Sequence, residues 1–307
     1  MNWVAELDRW AADYLPDMRI AEEEPMARHT SFRIGGPARR MAFPESGEQM
    51  VLLLSFARAC GARPLVIGNG TNLLAPDGGL ERLVIAAAGL RRIEAGPEPD
   101  TVLAEAGATL AQTADFACGQ GLTCLEFAHG IPGTVGGAVC MNAGAYGGEM
   151  AQVIQGVSVL LPEEGIRFIP GGEMGFAYRR SLLTECPEAV VLHAVFRLSQ
   201  GDPAVIREKM RELMARRKAS QPLEYPSAGS TFKRPEGHYA GALIEQCGLK
   251  GLTVGGAQVS EKHAGFLINR GGASCRDVLE LIRQVQERVL AETGVRLEPE
   301  VRILDGE

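Results

Sequence analysis

The stretch Gly130-Ile131-Pro132-Gly133-Thr134-Val135-Gly136-Gly137-Ala138-Val139-Cys140-Met141-Asn142-Ala143-Gly144-Ala145-Tyr146-Gly147-Gly148 decides how this chain is read. Its glycines remove side chains where the backbone must turn with φ > 0 or come close to a ligand. The residues between them are mostly small, so a flat ring or a pyrophosphate can lie directly on main-chain N–H groups. Short runs of such groups form anion sites without a lysine. The competing reading is a flexible linker. Ile131, Val135, Val139, Met141 and Tyr146 are apolar groups that a linker lacks, so the stretch reads as folded.

Upstream, Pro64-Leu65-Val66-Ile67 has the signature of a buried strand and runs into Gly68-Asn69-Gly70-Thr71-Asn72-Leu73-Leu74. A strand ending in such a turn can offer amides and a hydroxyl to a phosphate. No Lys-Ser/Thr follows and the glycine spacing is not GxGxxG, so neither a Walker loop nor a Rossmann fingerprint is present. Alone this could be a plain hairpin turn. With a second glycine-rich segment at 130–148, it points to a dinucleotide held between two loops.

The totals bound the class. The chain has 307 residues, 46% hydrophobic and 22% charged, as expected of a globular protein of about two domains. A net charge of -7 argues against a general nucleic-acid binder. No run approaches the ~18 apolar residues of a membrane span. The first residues lack the basic and apolar regions of a signal peptide. The seven cysteines are scattered and form no CxxC pair, which indicates neither a zinc site nor a disulfide framework. These features predict a cytoplasmic protein.

Periodicity predicts helices over 3–15, 48–60, 110–118, 203–217 and 240–247, and a long one capped by Ser274 and stopped by Gly294. Short strands are expected between Glu22 and Pro44, where Thr30, Phe32 and Ile34 alternate with Ser31 and Arg33 and Gly35-Gly36-Pro37 punctuates. Two more fall between 83 and 103, separated by a loop at Gly96-Pro97, and others at 153–161, 166–169, 190–198 and 265–269. The last strand alternates Val295, Leu297, Val301 and Ile303 against Arg296, Glu298, Glu300 and Arg302. The basic helix face at 207–218 reads as solvated surface, apart from its Arg216-Arg217-Lys218 end.

Four polar groups stand out as candidates: Tyr178-Arg179-Arg180-Ser181, Ser230 with Lys233, His263, and Glu298 with Glu300. His263 reads as structural or substrate-facing, since no HExxH or comparable cluster supports a metal. No G-x-S-x-G elbow suggests a hydrolase.

Six motifs occur in order: Gly68-Asn69-Gly70-Thr71-Asn72-Leu73-Leu74, Ile131-Pro132-Gly133-Thr134-Val135-Gly136-Gly137, Asn142-Ala143-Gly144-Ala145-Tyr146-Gly147, Tyr178-Arg179-x-Ser181, Ala228-Gly229-Ser230-x-Phe232-Lys233 and Glu298-Pro299-Glu300-Val301. Together they resemble the UDP-N-acetylenolpyruvoylglucosamine reductase family (UDP-N-acetylmuramate dehydrogenases), flavoenzymes of bacterial peptidoglycan synthesis. The resemblance covers nearly the whole chain, and the short length matches the compact subtype.

The resemblance implies an α+β fold. A two-part FAD-binding module of the vanillyl-alcohol-oxidase/p-cresol-methylhydroxylase type would cover 33–198, split near 78, with the helix and strand of 1–32 packed on it. A connecting helix at 199–219, an α+β substrate domain at 220–299 and a C-terminal strand at 300–307, returning to the flavin module, would follow. Non-covalent FAD would lie against Gly68, Asn69, Gly70, Thr71, Asn72 and Leu73, and against Gly130, Ile131, Pro132, Gly133, Thr134, Gly136, Gly137, Asn142, Ala143 and Gly144. NADPH would donate hydride, and the enolpyruvyl ether of UDP-N-acetylglucosamine would then accept it at its vinyl CH₂ carbon.

By the same resemblance, Arg179 and Glu300 would stabilise the resulting enolate and Ser230 would protonate the α-carbon. The chemistry suits these residues. Arginine presents an always-charged planar fork, oriented donors lower the energy of developing charge, and a general acid needs hydrogen-bond reach. Arg180 and Glu298 are the neighbours that could be mistaken for Arg179 and Glu300. Tyr178, Arg217, Lys233 and Asn269 are expected near the diphosphate, uridine or sugar. The partners are then small molecules, without nucleic acid or membrane, and the protein a monomer or weak homo-oligomer. A flavin-dependent alcohol or sugar oxidase on the same fold and a non-catalytic nucleotide binder are the alternatives. No evident flavin attachment site and an intact Arg179, Ser230 and Glu300 set weigh against them.

Overall fold

Ile154–Leu161 and Val190–Arg197 are rich in β-branched residues and buried along most of their length, the pattern of strands covered on both faces. In the computed structural model, which describes residues 3–306, they are the second and third strands of a five-stranded antiparallel sheet. Its order is Gly165–Pro170, Ile154–Leu161, Val190–Arg197, Thr101–Glu105, Ile93–Ala95. The helices among the described residues are α1 (Trp3–Tyr14), α2 (Gly47–Ala59), α3 (Leu110–Gly119), α4 (Val135–Cys140), α5 (Leu182–Glu185), α6 (Pro203–Ser220), α7 (Ala240–Gln246) and α8 (Cys275–Thr293).

The chain divides into two units. The first runs to Ala21 and resumes at Arg40–Asn69 and Leu83–Arg216. The second comprises Glu22–Arg39, Gly70–Arg82 and the chain from Arg217 onward. In the first unit, α3 and α4 share a core with the five-stranded sheet through Ala114, Val139, Val157 and Phe196. A helix as short as α4 does not persist alone in water, so this packing is what holds it. A separate core joins Leu7 of α1 to Met50, Leu53 and Leu54 of α2 and to Ile85, and Trp10 stacks on Phe56 at 4.4 Å. Leu65–Ile67, which delivers the chain to Gly68, pairs in parallel with Val84, Ile85 and Ala86.

The second unit is built on α8. Its stripe of Val278, Leu281, Ile282, Val285 and Val289 packs with Ala257, Val259 and Leu267, from the antiparallel strands Thr253–Val254, Ala257–Val259 and Leu267–Asn269. Ser274 and Asp277 form a capping box, and the Asp77 carboxylate accepts from the Cys275 and Arg276 amides at 2.7 and 3.1 Å. The first turn of α8 is thus satisfied by side chains. Burial, then the charge of Asp77, pushes the Cys275 thiol up to about 11. Gly294, at φ 73°, ends α8 in the left-handed conformation. Arg302–Ile303 pairs in parallel with Leu73–Leu74 of the same unit.

Three sequence expectations are corrected. Residues 30–34 form a turn, in which Thr30 Oγ1 donates to Ile34 O at 3.0 Å and Arg33 has φ 55°; the strands flanking it are Arg19–Pro25 and Pro37–Phe43. Between 80 and 105 there are three strands, Leu80–Ala86, Ile93–Ala95 and Thr101–Glu105. The C-terminal alternation does not form one strand: Leu297 and Val301 are buried but Ile303 is 43% exposed, and the segment is divided between a bridge of Pro299 with Phe232 and the pairing of Arg302–Ile303 with Leu73–Leu74.

Ser274→Ala should lower stability by about 1 kcal/mol in urea denaturation, whereas Ser274→Asp, which keeps a capping oxygen, should lower it less.

Candidate active site

The glycine-rich stretch enters α4 at Thr134. Val135 N donates to Ala108 O at 2.9 Å and Gly136 N to Ala106 O at 2.8 Å. Both amides are engaged by the chain itself, although Gly136 was expected at the cofactor. A Cβ on Gly136 would stand 3.0 Å from that of Ala106, so this glycine serves a backbone-to-backbone approach. A Cβ on Gly68 would lie 2.2 Å from Thr134 Oγ1, so the first glycine-rich turn and the second meet here. At Gly137 the nearest atom would be 3.7 Å away, and at Gly147, with φ 88°, none of the described atoms would lie within 4 Å. The stretch therefore keeps side-chain-free backbone beside tightly packed backbone, which fits a flat ring or a pyrophosphate resting on it.

Arg179 sits at a corner closed by two reciprocal bonds, Ala177 N to Arg180 O at 3.0 Å and Arg180 N to Ala177 O at 3.1 Å. Its φ is 55°. Arg180 is ion-paired with Glu185, while the Arg179 guanidinium lies 5.0 Å from the ring centre of Tyr178. Tyr178 is 53% exposed. The corner is tied to the exit of the glycine-rich stretch: Asn142 Nδ2 donates to Ala177 O at 3.1 Å and Ser181 Oγ to Cys140 O at 2.7 Å. Arg216, at the basic end of α6, lies 5.0 Å over the ring of Tyr146.

In the second unit Ser230 follows Gly229, whose φ is 75°. Thr231 is the buried anchor. Its amide donates to Gly265 O at 2.9 Å, its hydroxyl accepts from Leu267 N at 3.1 Å and its carbonyl accepts from Glu300 N at 2.7 Å. With Lys233 N bonded to Glu298 O at 2.8 Å, segments 231–233 and 298–300 run alongside each other. Ser230 and Glu300, both half-buried, therefore start from adjoining backbone. Glu298 points to Lys233 Nζ at 3.4 Å.

Asn72, expected at the cofactor, donates its amide to Glu300 O at 3.0 Å. Asn269, expected at the substrate, is buried; it donates to Phe32 O at 3.0 Å and accepts from Gly271 N and Ala273 N. His263 Nδ1 accepts from Gly265 N at 3.2 Å, and burial holds its pKa below the ordinary value. Sequence reading missed Thr231, whose role rests on contacts with residues 265–267 and 300. Among the described residues no group of three or more His, Cys, Asp or Glu could hold a metal ion, and no helix is long and apolar enough to cross a membrane.

The C-terminal domain of UDP-N-acetylenolpyruvoylglucosamine reductase matches residues 221–304, and an FAD binding domain matches residues 38–168. The UDP-N-acetylenolpyruvoylglucosamine reductase of Caldanaerobacter subterraneus subsp. tengcongensis is 48% identical over 292 residues, 95% of this chain and 96% of its own. That of Pediococcus pentosaceus is 45% identical over 98% of this chain and 99% of its own. This chain belongs to the UDP-N-acetylenolpyruvoylglucosamine reductase family. The crystal structure of the enzyme from Thermus caldophilus superimposes with a TM-score of 0.81 at 37% identity, covering 94% of this chain and 100% of that one.

The chain is accordingly a flavin-dependent oxidoreductase of peptidoglycan synthesis with FAD as its cofactor. Its α+β fold combines an FAD binding domain with the C-terminal domain of the reductase family.

Gly68→Ala should force the two glycine-rich turns apart and weaken FAD binding by about tenfold or more, as one lost close approach costs over 1 kcal/mol. Fluorescence titration of the apoprotein measures this. Gly172→Ala, whose Cβ meets no described atom within 4 Å, should bind FAD as the parent does.

Proposed function

We propose that this chain reduces the enolpyruvyl ether of UDP-N-acetylglucosamine to UDP-N-acetylmuramate with NADPH as the electron source. The observation that carries the reading is the likeness to UDP-N-acetylenolpyruvoylglucosamine reductases, one of them 48% identical over 95% of this chain. Arg179 and Glu300 are the residues that match the family motif, and their neighbours Arg180 and Glu298 pair with Glu185 and Lys233. We assign the flavin module to 33–198, the connecting helix to 199–219 and the substrate domain to 220–299, with 1–32 packing on the flavin module and 300–307 returning to it. The matched spans 38–168 and 221–304 support the two central assignments.

The backbone of 68–73 and 130–144 would hold non-covalent FAD, with side-chain-free positions such as Gly137 against its flat or anionic parts. FAD held there would supply the hydride-transfer chemistry that links NADPH to the vinyl CH₂ carbon of the substrate. The remaining work is done by the chain on the substrate. Charge develops on the α-carbon and its carboxylate, and the planar fork of Arg179 offers paired donors to those oxygens. Glu300, in its protonated form, donates to the same carboxyl group. Ser230 delivers the proton to the α-carbon, which completes the saturated lactyl ether. Tyr178, Arg217 and Lys233 serve the sugar, uridine or diphosphate, and Asn269 acts through the backbone it fixes.

Anaerobic spectra test the reaction directly. NADPH should bleach the flavin, and the UDP-enolpyruvyl sugar should restore its colour without oxygen. Recovery only on admitting air would instead indicate an oxidase, and a chain that cannot be reconstituted with FAD would indicate a binder. Ser230→Ala should keep the bleaching step and slow the recovery by ~10²- to 10⁴-fold, the usual contribution of a general acid. Recovery at the parent rate would remove Ser230 from the mechanism.

A further inference from the structure

Arg179 occupies a corner where a side chain is unfavourable. A φ of 55° is the left-handed region, which glycine enters freely and arginine enters at a cost of about 1 kcal/mol. Such a conformation persists only where the surroundings over-determine it. Two side chains from outside the turn's own closing bonds do this.

Before the corner, the Ala177 carbonyl takes a second hydrogen bond, from Asn142 Nδ2 at 3.1 Å, besides that from Arg180 N. Asn142 is itself fixed: it is 1% exposed, has φ 45°, and its Oδ1 accepts from Ala151 N at 2.9 Å. After the corner, Ser181 Oγ donates to Cys140 O at 2.7 Å while the same oxygen accepts from Leu183 N at 3.3 Å. Ser181 is also 1% exposed. Both clamps reach the same place, the end of α4 where the glycine-rich stretch leaves its helix.

We propose that Asn142 and Ser181 are positioning residues for the reaction, clamping the Arg179 corner onto the exit of the flavin-binding stretch. This rests on the functional reading given above. Arg179 is thereby referenced to the stretch that holds the cofactor rather than to its own exposed loop. The motif asparagine at 142 then serves the arginine, not the cofactor directly. Its two amide atoms already bond Ala177 and Ala151, and Ser181 uses its proton on Cys140 O and its lone pair on the first turn of α5.

A double-mutant cycle tests the clamp, using Ser181→Ala, Arg179→Ala and their combination as FAD-loaded proteins. Ser181→Ala should slow anaerobic recovery of flavin colour by the UDP-enolpyruvyl sugar by ~10- to 100-fold, the scale of a small misplacement. Bleaching by NADPH and the FAD dissociation constant of the apoprotein should stay at the parent values, and Ser181→Thr, which keeps the hydroxyl, should restore the rate. In the Arg179→Ala background, Ser181→Ala should cause no further loss, because a positioning residue has nothing left to position. Asn142→Asp is near-isosteric and keeps the acceptor for Ala151 N but loses the donor to Ala177 O; it should behave in the same way should Ser181→Ala fail to fold.

Losses that multiply with those of Arg179→Ala, weakened FAD binding, or equal slowing of both half-reactions would show ordinary structural damage and overturn the clamp. Parent-rate recovery in Ser181→Ala and Asn142→Asp alongside an impaired Arg179→Ala would overturn the clamp alone. An unimpaired Arg179→Ala would overturn both the clamp and the assignment of Arg179.

Discussion

No methyl group fits between Gly68 and Thr134, and this exclusion governs the cofactor-binding half of the chain. A Cβ on Gly68 would sit 2.2 Å from the Thr134 hydroxyl, far inside van der Waals contact. The strand Leu65–Ile67 is fixed by its parallel partner Leu80–Ala86, and Thr134 by the bonds of the following amides to Ala108 and Ala106. Neither side can retreat without breaking main-chain hydrogen bonds whose buried groups would then lack partners. The glycines near this point serve two purposes. Gly68 makes room for the Thr134 side chain and Gly136 for the close approach of Ala106, while Gly137 and Gly147 leave backbone bare.

The neighbouring charges illustrate a different constraint. Arg180 with Glu185 and Lys233 with Glu298 are exposed pairs, and such pairs contribute at most about 1 kcal/mol to stability. Their effect is on direction. Each occupies one member of a doublet that the sequence presents as equivalent, Arg179-Arg180 and Glu298-Pro299-Glu300.

Much of this was legible from residue patterns, and the failures have physical causes. Ser274, Asp277 and Gly294 marked α8 because capping is chemistry between residues a few positions apart. The alternation of Thr30, Phe32 and Ile34 misled because burial of Phe32 and Ile34 in a tight turn yields the same pattern as a strand. The distinguishing features, the Thr30 hydroxyl bonded to Ile34 and the positive φ of Arg33, are invisible to periodicity. The C-terminal alternation misled because its residues pair with two different partners, Pro299 with Phe232 and Arg302–Ile303 with Leu73–Leu74, and alternation does not show where a partner changes. Thr231 was out of reach, since its importance depends on partners 34 or more positions away.

The motif asparagines show the limit of reading a motif as a list of ligand contacts. Asn72, Asn142 and Asn269 each donate the side-chain amide to a backbone carbonyl remote in sequence: Glu300, Ala177 and Phe32. Asn142 and Asn269 also accept from backbone amides with the other atom of the group. A carboxamide donates at one atom and accepts at the other from a short side chain. Aspartate loses the donor, and serine cannot span the gap. At these positions asparagine is required because two strands of backbone must be held at a fixed separation. For Asn72 and Asn142 the held backbone carries Glu300 and Arg179. A motif asparagine can thus fix the backbone that carries another motif residue.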